Sequence, residues 1–453
     1  MYILLITNHG TIVRSSLGVL QVIDRVGVDL EVRLASKIKG KGVFARKAIA
    51  EDNVIFEEPA LVGAQHTANR ADALVCSRCF TFIGSIGMQI AHRLLSMRSE
   101  GLGLHPSFAC LCSATLSMDL SCLWSGVAEL PHSDRYPLPK LVTCLGGCTD
   151  TVYCSEECAA ANWAAHHRLL CSGPRSQPSR ISADAIRRFK EHADETNDAF
   201  HIAAQVVAGT LLRAEELLSN GFAPEAAGSS SERNWAALQR AWRPYAAAWK
   251  AHWWECVAIP DDVTDAACFR SDLHELAGDS LELLKEFLYD ERFPALFHLD
   301  VYGSIMGIFE LNNLGIYVAS PVEDYFELCH AEDGGLSEEE QKLTHLITRP
   351  LLDSLGESYG AGCEGSAFYA LQSCCNHSCA PNAHAFKRAH IDTDGSATIL
   401  ARKPIAPGEE VCLSYIDEDA PYHDRRAALA DYGFTCECDK CVSEAAAPGK
   451  ATA

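Results

Sequence analysis

No stretch of this sequence approaches the roughly 20 consecutive apolar residues that a membrane-spanning helix needs. The apolar run Tyr2 to Ile6 has no basic residues ahead of it and is too short for the hydrophobic part of a secretory signal. The protein is therefore expected to be soluble and intracellular, with no membrane partner. Positive charge is also scarce: 38 Lys and Arg stand against 60 Asp and Glu, a formal net charge of -22. That balance argues against direct nucleic-acid binding, in which Lys and Arg must neutralise phosphates. It suits a basic partner such as a Lys-rich protein tail. There is no internal repeat and no clear basic import signal, since the charges from Arg168 to Lys190 are scattered.

Cysteine, by contrast, is abundant, at 21 of 453 residues. In a chain without a secretory signal, cysteines in close pairs read as reduced thiolates on zinc rather than as disulfides. The length predicts two or three units with ample sequence to bury a core. Val28 to Glu58 alternates apolar and polar residues and turns at Gly40-Lys41-Gly42, the pattern of short strands. The cysteine-rich part follows to about Cys171. Within it, Gly101 to Gly103 and His132 to Pro139 lack periodicity and read as a long loop. Asp184 to Leu218 has helical spacing with Ser182 as its cap, and Gly228 to Arg233 separates a second helical group. Asp272 to Phe287 reads as a further helix, with Leu273, Leu276, Leu281, Leu284 and Phe287 on one side. Short strands are expected from Ser304 onward, and the Ala-rich end from Glu444 to Ala453 is expected to be disordered.

Four ordered pairs carry the metal signal: Cys76-x2-Cys79, Cys144-x3-Cys148, Cys154-x3-Cys158 and His167-x3-Cys171. Seven sulfurs and one imidazole complete two tetrahedral structural sites. The bland alternative is that they are buried reduced cysteines acting as small apolar residues. His166 competes with His167; i to i+4 spacing on a helix favours His167 beside Cys171, and the choice stays open. Cys110, Cys112 and Cys122 read as loop or core residues, and Cys363, Cys374, Cys375 and Cys412 as packing residues. Cys436-x-Cys438-x2-Cys441 supplies three more ligands, with Cys379 the candidate fourth.

Asn376-His377-Ser378-Cys379-Ala380-Pro381-Asn382 is followed by Gly408-Glu409-Glu410-Val411, by Tyr415, and by Tyr432-Gly433-Phe434 before the last cysteines. In this order they resemble the signature of SET-domain lysine methyltransferases. Tyr153-Cys154-Ser155-Glu156-Glu157-Cys158 with Trp163 resembles the MYND zinc finger. Beyond these, Phe82 to Ile86, Trp253 to Cys256, Pro260 to Asp262, Ser320 to Phe326 and Gln372 to Arg388 resemble plant trithorax-related SET proteins with a MYND-like insertion. The likeness runs from about residue 40 to 441.

The resemblance implies an α+β fold: a SET domain of short strands, split by a MYND-like zinc insertion and a helical insertion, closed by a zinc-bound post-SET segment. It divides the chain into an extension (1-29), the first SET part (30-68), the MYND-like region with its long insertion (69-175), the helical insertion (176-300), the C-terminal SET core (301-420), the post-SET segment (421-445) and a tail (446-453). It interleaves the zinc pairs, Cys76, Cys79, Cys154 and Cys158 on one ion and Cys144, Cys148, His167 and Cys171 on another. A third zinc joins Cys379 to Cys436, Cys438 and Cys441.

Methyl transfer from S-adenosylmethionine to a lysine is an in-line displacement on a neutral amine. A free lysine has a pKa of about 10.4, which an apolar, water-poor channel lowers. By resemblance, Gly40, Lys41 and Gly42, together with Asn312, Asn376, His377 and Phe434, contact the cofactor. Tyr415 ends the lysine channel and also borders the cofactor, and Tyr369 is a candidate channel wall. The implied activity is methylation of histone H3 in the nucleus, with transcription regulators as partners of the MYND-like part. Two alternatives stand beside it: methylation of a non-histone protein, and an inert zinc adaptor that only binds peptides.

Overall fold

The computed structural model describes residues 28-36, 39-99, 120-174, 182-222, 229-246, 248, 251-331 and 336-446. The extension to residue 27, Gly101 to Gly103, Cys110, Cys112 and the tail beyond 446 lie outside the described residues.

Short strands form three small sheets and a hairpin. The first sheet joins β1 (Leu30–Ser36), β2 (Gly40–Ala45), β12 (Glu410–Leu413) and β9 (Asn376–His377) in that spatial order. β2 lies antiparallel between β1 and β12, with Val43 opposite both Val32 and Val411. β9 pairs parallel to β12, Asn376 opposite Cys412 and His377 opposite Leu413. The glycine loop, the Asn-His pair and the Glu410 strand, far apart in sequence, thus become neighbours in one sheet. The second sheet orders β10 (Ala383–Ala385), β11 (Ala397–Ala401) and β3 (Val54–Glu58), and the third β4 (Val62–Gln65), β8 (Cys363–Phe368) and β7 (Asn313–Val318). Val43, Phe56, Ile399 and Val411 bury together beneath the first two sheets. Those apolar contacts hold the motif strands in register.

The cysteine-rich region carries the hairpin β5 (Val142–Thr143) and β6 (Val152–Tyr153) and the helices α1 (Ile86–Ser99), α2 (Leu120–Trp124) and α3 (Glu156–Asn162). α1 belongs to a span whose helicity the cysteine spacing masked.

The helical insertion holds α4 (Ala183–Thr196), α5 (Ala199–Ser219), α6 (Ser230–Ala241) and α7 (Ala266–Leu288). Ser182 accepts from the Ala185 N–H as the cap of α4. The single helix expected from Asp184 to Leu218 breaks at Asn197, whose backbone is extended (φ -156°) and whose side chain accepts from the Ala199 N–H. Asp265 caps α7, whose Leu281, Leu284 and Phe287 face the core.

The strands expected from Ser304 are corrected: α8 (Leu299–Asn312) runs to Asn312, with Val301 to Phe309 buried throughout. A short, continuously apolar run cannot be told from a buried strand by periodicity. α9 (Pro321–His330) and α10 (Glu338–Leu355) follow, and α11 (Tyr422–Ala430) and α12 (Asp439–Ala446) frame the last cysteines.

Candidate active site and zinc centres

β2 begins at Gly40, whose φ of +72° favours glycine. At Gly42 a Cβ would stand 2.4 Å from Glu410 Oε1 and 3.1 Å from Asn376 Nδ2, so only hydrogen fits without displacing them. Asn376 Nδ2 donates to the Lys41 carbonyl (2.8 Å) and to Glu410 Oε1 (2.7 Å). Lys39 pairs with the other Glu410 oxygen at 3.2 Å. Burial lowers the Lys41 pKa.

His377 Nδ1 accepts from the Tyr415 N–H at 3.1 Å. That acceptor role places the proton on Nε2, which points at Cys379 Sγ at 3.2 Å. Burial drops the His377 pKa to about 4, so the ring is neutral. Its centroid lies 5.4 Å from Tyr415 and 5.9 Å from Phe434. Gly42, Asn376, His377, Tyr415 and Phe434 therefore converge around one end of β9.

Tyr415 donates its hydroxyl to the Cys375 carbonyl at 2.6 Å, and burial raises its pKa. A cavity of about 480 Å³ opens beside it, with Asn312, Leu314, Gln372 and Tyr432 in its walls. The Tyr432 ring packs 5.3 Å from Tyr415, and its hydroxyl reaches the Tyr415 carbonyl at 3.4 Å. Asn312 ties its amide to the Ile308 carbonyl at 2.8 Å and stands on the same wall.

Tyr369 is not in this cavity. It is 1% exposed, packs with Ala73, Phe80 and Ile316, and donates its hydroxyl to the Gly395 carbonyl. The channel-wall expectation for Tyr369 is corrected on that ground, and Tyr432 stands where an aromatic wall is needed. Its place in the Tyr-Gly-Phe motif was the available signal.

Sequence reasoning also missed Glu58. Its carboxylate, 3% exposed, accepts from the Leu371 N–H (2.9 and 3.0 Å) and the Gln372 N–H (2.9 Å). It pins the turn that leads into Cys375 and Asn376. No spacing rule marks such a residue.

Three groups of donor atoms gather: Cys76, Cys79, Cys154 and Cys158; Cys144, Cys148, His167 and Cys171; Cys379, Cys436, Cys438 and Cys441. A tetrahedron with Zn–S bonds of about 2.3 Å has S···S edges of about 3.8 Å. The edges here include Cys79 to Cys154 at 3.5 Å, Cys158 to Cys79 at 3.9 Å, Cys144 to Cys171 at 3.6 Å and Cys441 to Cys379 at 3.5 Å. Burial and its neighbouring thiols push Cys154 up to about 12, a penalty that a divalent cation removes. All three donor sets fit zinc.

His167 Nε2 lies 3.1 Å from Cys144 Sγ, while His166 faces elsewhere, its Nδ1 buried without a hydrogen bond. The helical turn Trp163–His167 is π-type, and Cys171 sits just past the helix end in extended conformation. The i to i+4 argument therefore reaches the right imidazole through a different geometry. Ser155 caps α3 by accepting from the Cys158 N–H, which turns Cys158 back toward Cys154. Cys122, on α2, is half-buried and outside every donor group. Cys363, Cys374 and Cys375 are buried thiols.

Arg425 is buried to 2% exposure beside the third set, where it donates to the Ala420 carbonyl and pairs with Glu444, and the nearby Cys379 and Cys441 thiols help raise its pKa. A four-thiolate zinc is formally dianionic, and this guanidinium offsets part of that charge. A fourth group, Asp194, Asp198 and His201, is already bonded by Arg70 and Thr67 and acts as a polar latch between the α4–α5 junction and residues 67 to 70.

A glycine strand beside an Asn-His strand, closed by a cysteine-rich C-terminal segment, defines a SET-domain protein. The family model "SET domain" matches residues 40–416, and the chain belongs to that family. It is 45% identical over 430 residues to "Histone-lysine N-methyltransferase ATXR2" of Arabidopsis thaliana, covering 89% of this chain and 88% of that protein. It is 28% identical over 440 residues to "Protein-lysine N-trimethyltransferase SMYD5" of Mus musculus, covering 94% and 90%. A shorter match, 40% over 79 residues, joins 17% of the chain to 20% of "Histone-lysine N-methyltransferase ASHR2" of Arabidopsis thaliana.

Proposed function

We propose that this chain is an S-adenosylmethionine-dependent protein lysine N-methyltransferase acting on a histone tail, with histone H3 the first substrate to test. The observation that carries this reading is the convergence of Tyr415, Tyr432 and the 480 Å³ cavity on the same end of β9 as Asn376, His377 and Gly42. Gly40 to Gly42, Asn376, His377 and Phe434 would hold the cofactor, which supplies an activated methyl group on a sulfonium. The lysine amine would enter through the cavity, where Tyr415 lines the wall.

The Tyr415 hydroxyl proton is committed to the Cys375 carbonyl, so the oxygen's lone pairs are free to accept from the substrate ammonium or amine and orient it. The rings of Tyr415 and Tyr432, with Leu314, exclude water and favour the neutral amine. Bound S-adenosylmethionine would supply the methyl group to the lysine nitrogen, and the proton that the methylated nitrogen sheds would leave to solvent. Three structural zinc ions, on the donor sets described above, would hold the MYND-like region and the post-SET lid.

The relatives' names and the acidic balance of the chain support a basic histone substrate and a nuclear role. The relative named as a protein-lysine trimethyltransferase supports non-histone lysine acceptors as a second reading. Incubation with labelled S-adenosylmethionine and histones or nucleosomes tests the first reading: transfer to an H3 lysine is expected. Absence of transfer to any histone while cofactor still binds would overturn it, and acceptors identified by mass spectrometry in cell extract would then establish the second. A biological effect that survives Tyr415→Phe while methylation is lost would instead point to an adaptor whose MYND-like part binds transcription regulators.

A further inference from the structure

The cavity beside Tyr415 is electrically lopsided. On one side Glu418 is neutralised by an ion pair with Arg402. On the other, Glu310, two residues before the end of α8, has no Lys, Arg or His against its carboxylate among the described residues. Glu310 is an exposed residue, and its carboxyl takes a hydrogen bond from Trp253, itself 3% exposed. Asp431, adjacent to Tyr432 at the end of α11, adds a second negative charge: both acids act on Tyr432, and Asp431 acts on Glu310. Two carboxylates from different parts of the fold thus act on one aromatic wall of the cavity, and no described cation is paired with Glu310.

A second, independent feature points into the same space. Gln372 is 7% exposed and lines the cavity, and its Oε1 is buried without any hydrogen-bond partner. An orphaned buried acceptor costs about 1 to 3 kcal/mol and is retained where a ligand satisfies it. The missing partner is a hydrogen-bond donor, and the missing charge is positive.

We infer that this cavity reads a peptide in which the acceptor lysine is flanked by a second Lys or Arg, with Glu310 and Asp431 receiving the flanking cation and Gln372 Oε1 accepting a hydrogen bond from the peptide. The inference deepens the methyltransferase reading and rests on it for the identity of the acceptor residue. The anchored position of Glu310 matters, since a carboxylate already held in place loses little side-chain entropy when the cation arrives.

Binding and turnover are measured separately on the full chain. For binding, fluorescent peptides carry norleucine at the acceptor position and arginine, citrulline or glutamate at the neighbouring one. The protein is expected to bind the arginine peptide about tenfold more tightly than the citrulline peptide, the effect of one well-placed ion pair. Glu310→Gln should shrink that ratio below about threefold, Asp431→Asn should shrink it less, and Glu310→Lys should invert preference toward the glutamate peptide. Gln372→Leu should weaken the arginine and citrulline peptides alike and leave their ratio intact. Equal binding of the arginine and citrulline peptides by the unmodified protein, or a ratio untouched by Glu310→Gln and Glu310→Lys, overturns the inference. No change on Gln372→Leu overturns the role given to Oε1. Lysine-containing peptides followed by mass then separate the two readings. Charge-selective binding without methyl transfer refutes the reaction and leaves the recognition site standing, whereas transfer without charge preference refutes the recognition site alone.

Discussion

Glu58 offers the most quantitative test of the physics beneath the site. Two opposing effects meet on its carboxyl: burial raises its pKa, while the N–H groups of Leu371, Gln372 and Ala370 lower it. Burial wins, and the group stands at about 7 in the folded protein against an ordinary value of 4.5. The folded state therefore binds this proton more tightly than the unfolded chain does. Glu58's contribution to stability is fully present below pH 4.5 and is lost as the pH rises through 7. At about 1.4 kcal/mol per unit, the loss between pH 5 and 8 is about 2 to 3 kcal/mol. Glu58→Gln, nearly isosteric, removes the titration. Zinc-loaded protein and variant are unfolded by denaturant at pH 5 and pH 8, and their difference is taken at each pH so that other titrating groups cancel. The unmodified protein should lose about 2 to 3 kcal/mol relative to the variant across that range. A difference that stays flat, or that moves the other way, would show that the three N–H donors outweigh burial and refute the reasoning.

Tyr415→Phe removes the hydroxyl that orients the amine and should lower kcat by about a hundredfold or more; cofactor affinity, read by calorimetry, should change less. Gly42→Ala drives a Cβ into Glu410 Oε1 and Asn376 Nδ2. Cofactor Kd should rise by about tenfold or more with the fold intact by circular dichroism, and unchanged affinity would count against the glycine strand as part of the pocket. Cys441→Ser should release one zinc by metal analysis, chelation all three, and either should abolish cofactor binding, because metal affinity in such a segment is folding energy. Unchanged cofactor affinity would exclude Cys379 from the metal set. Arg425→Met strands the third cysteine set without its buried counter-charge, and it should destabilise the protein by about 3 to 5 kcal/mol and speed zinc loss to a colorimetric chelator.

Much of this architecture was legible because its chemistry is written in short spacings. Cys154-x3-Cys158 reads as a ligand pair, and Ser155 as the cap that bends it is visible in the same six residues. Asn376-His377 with Glu410 announces a family, whereas Gly40-Lys41-Gly42, which reads as a turn, lies in β2 instead. What the sequence did not display is what tertiary packing decides. From Val301 to Phe309 α8 is buried on every face, so its helical period carries no contrast between buried and exposed positions there. Tyr369 and Tyr432 are chemically alike, and only the fold sends one hydroxyl into the core at Gly395 and the other to the cavity wall. Glu58, Gln372 and Glu310 have roles that no spacing marks, since each acquires its role from a partner, or the lack of one, that only the fold supplies.

The parallel pairing of β9 with β12 explains why so short a motif can organise so much. A two-residue strand alone has almost no stability, but β12 is held on its other edge by β2, and Val43 and Val411 bury against each other across that junction. Asn376 then ties β9 back to Lys41 and Glu410, so the glycine strand and the Asn-His strand are cross-linked by side-chain as well as backbone hydrogen bonds. One residue further on, His377 spends Nδ1 on the Tyr415 backbone and directs Nε2–H at Cys379. Because a thiolate is a far better acceptor than a thiol, metal on Cys379 strengthens the bond that fixes this tautomer. Zinc bound by the post-SET cysteines would thereby be linked through a single imidazole to the backbone of the tyrosine at the cavity, and loss of that metal should loosen Tyr415 as well as the lid.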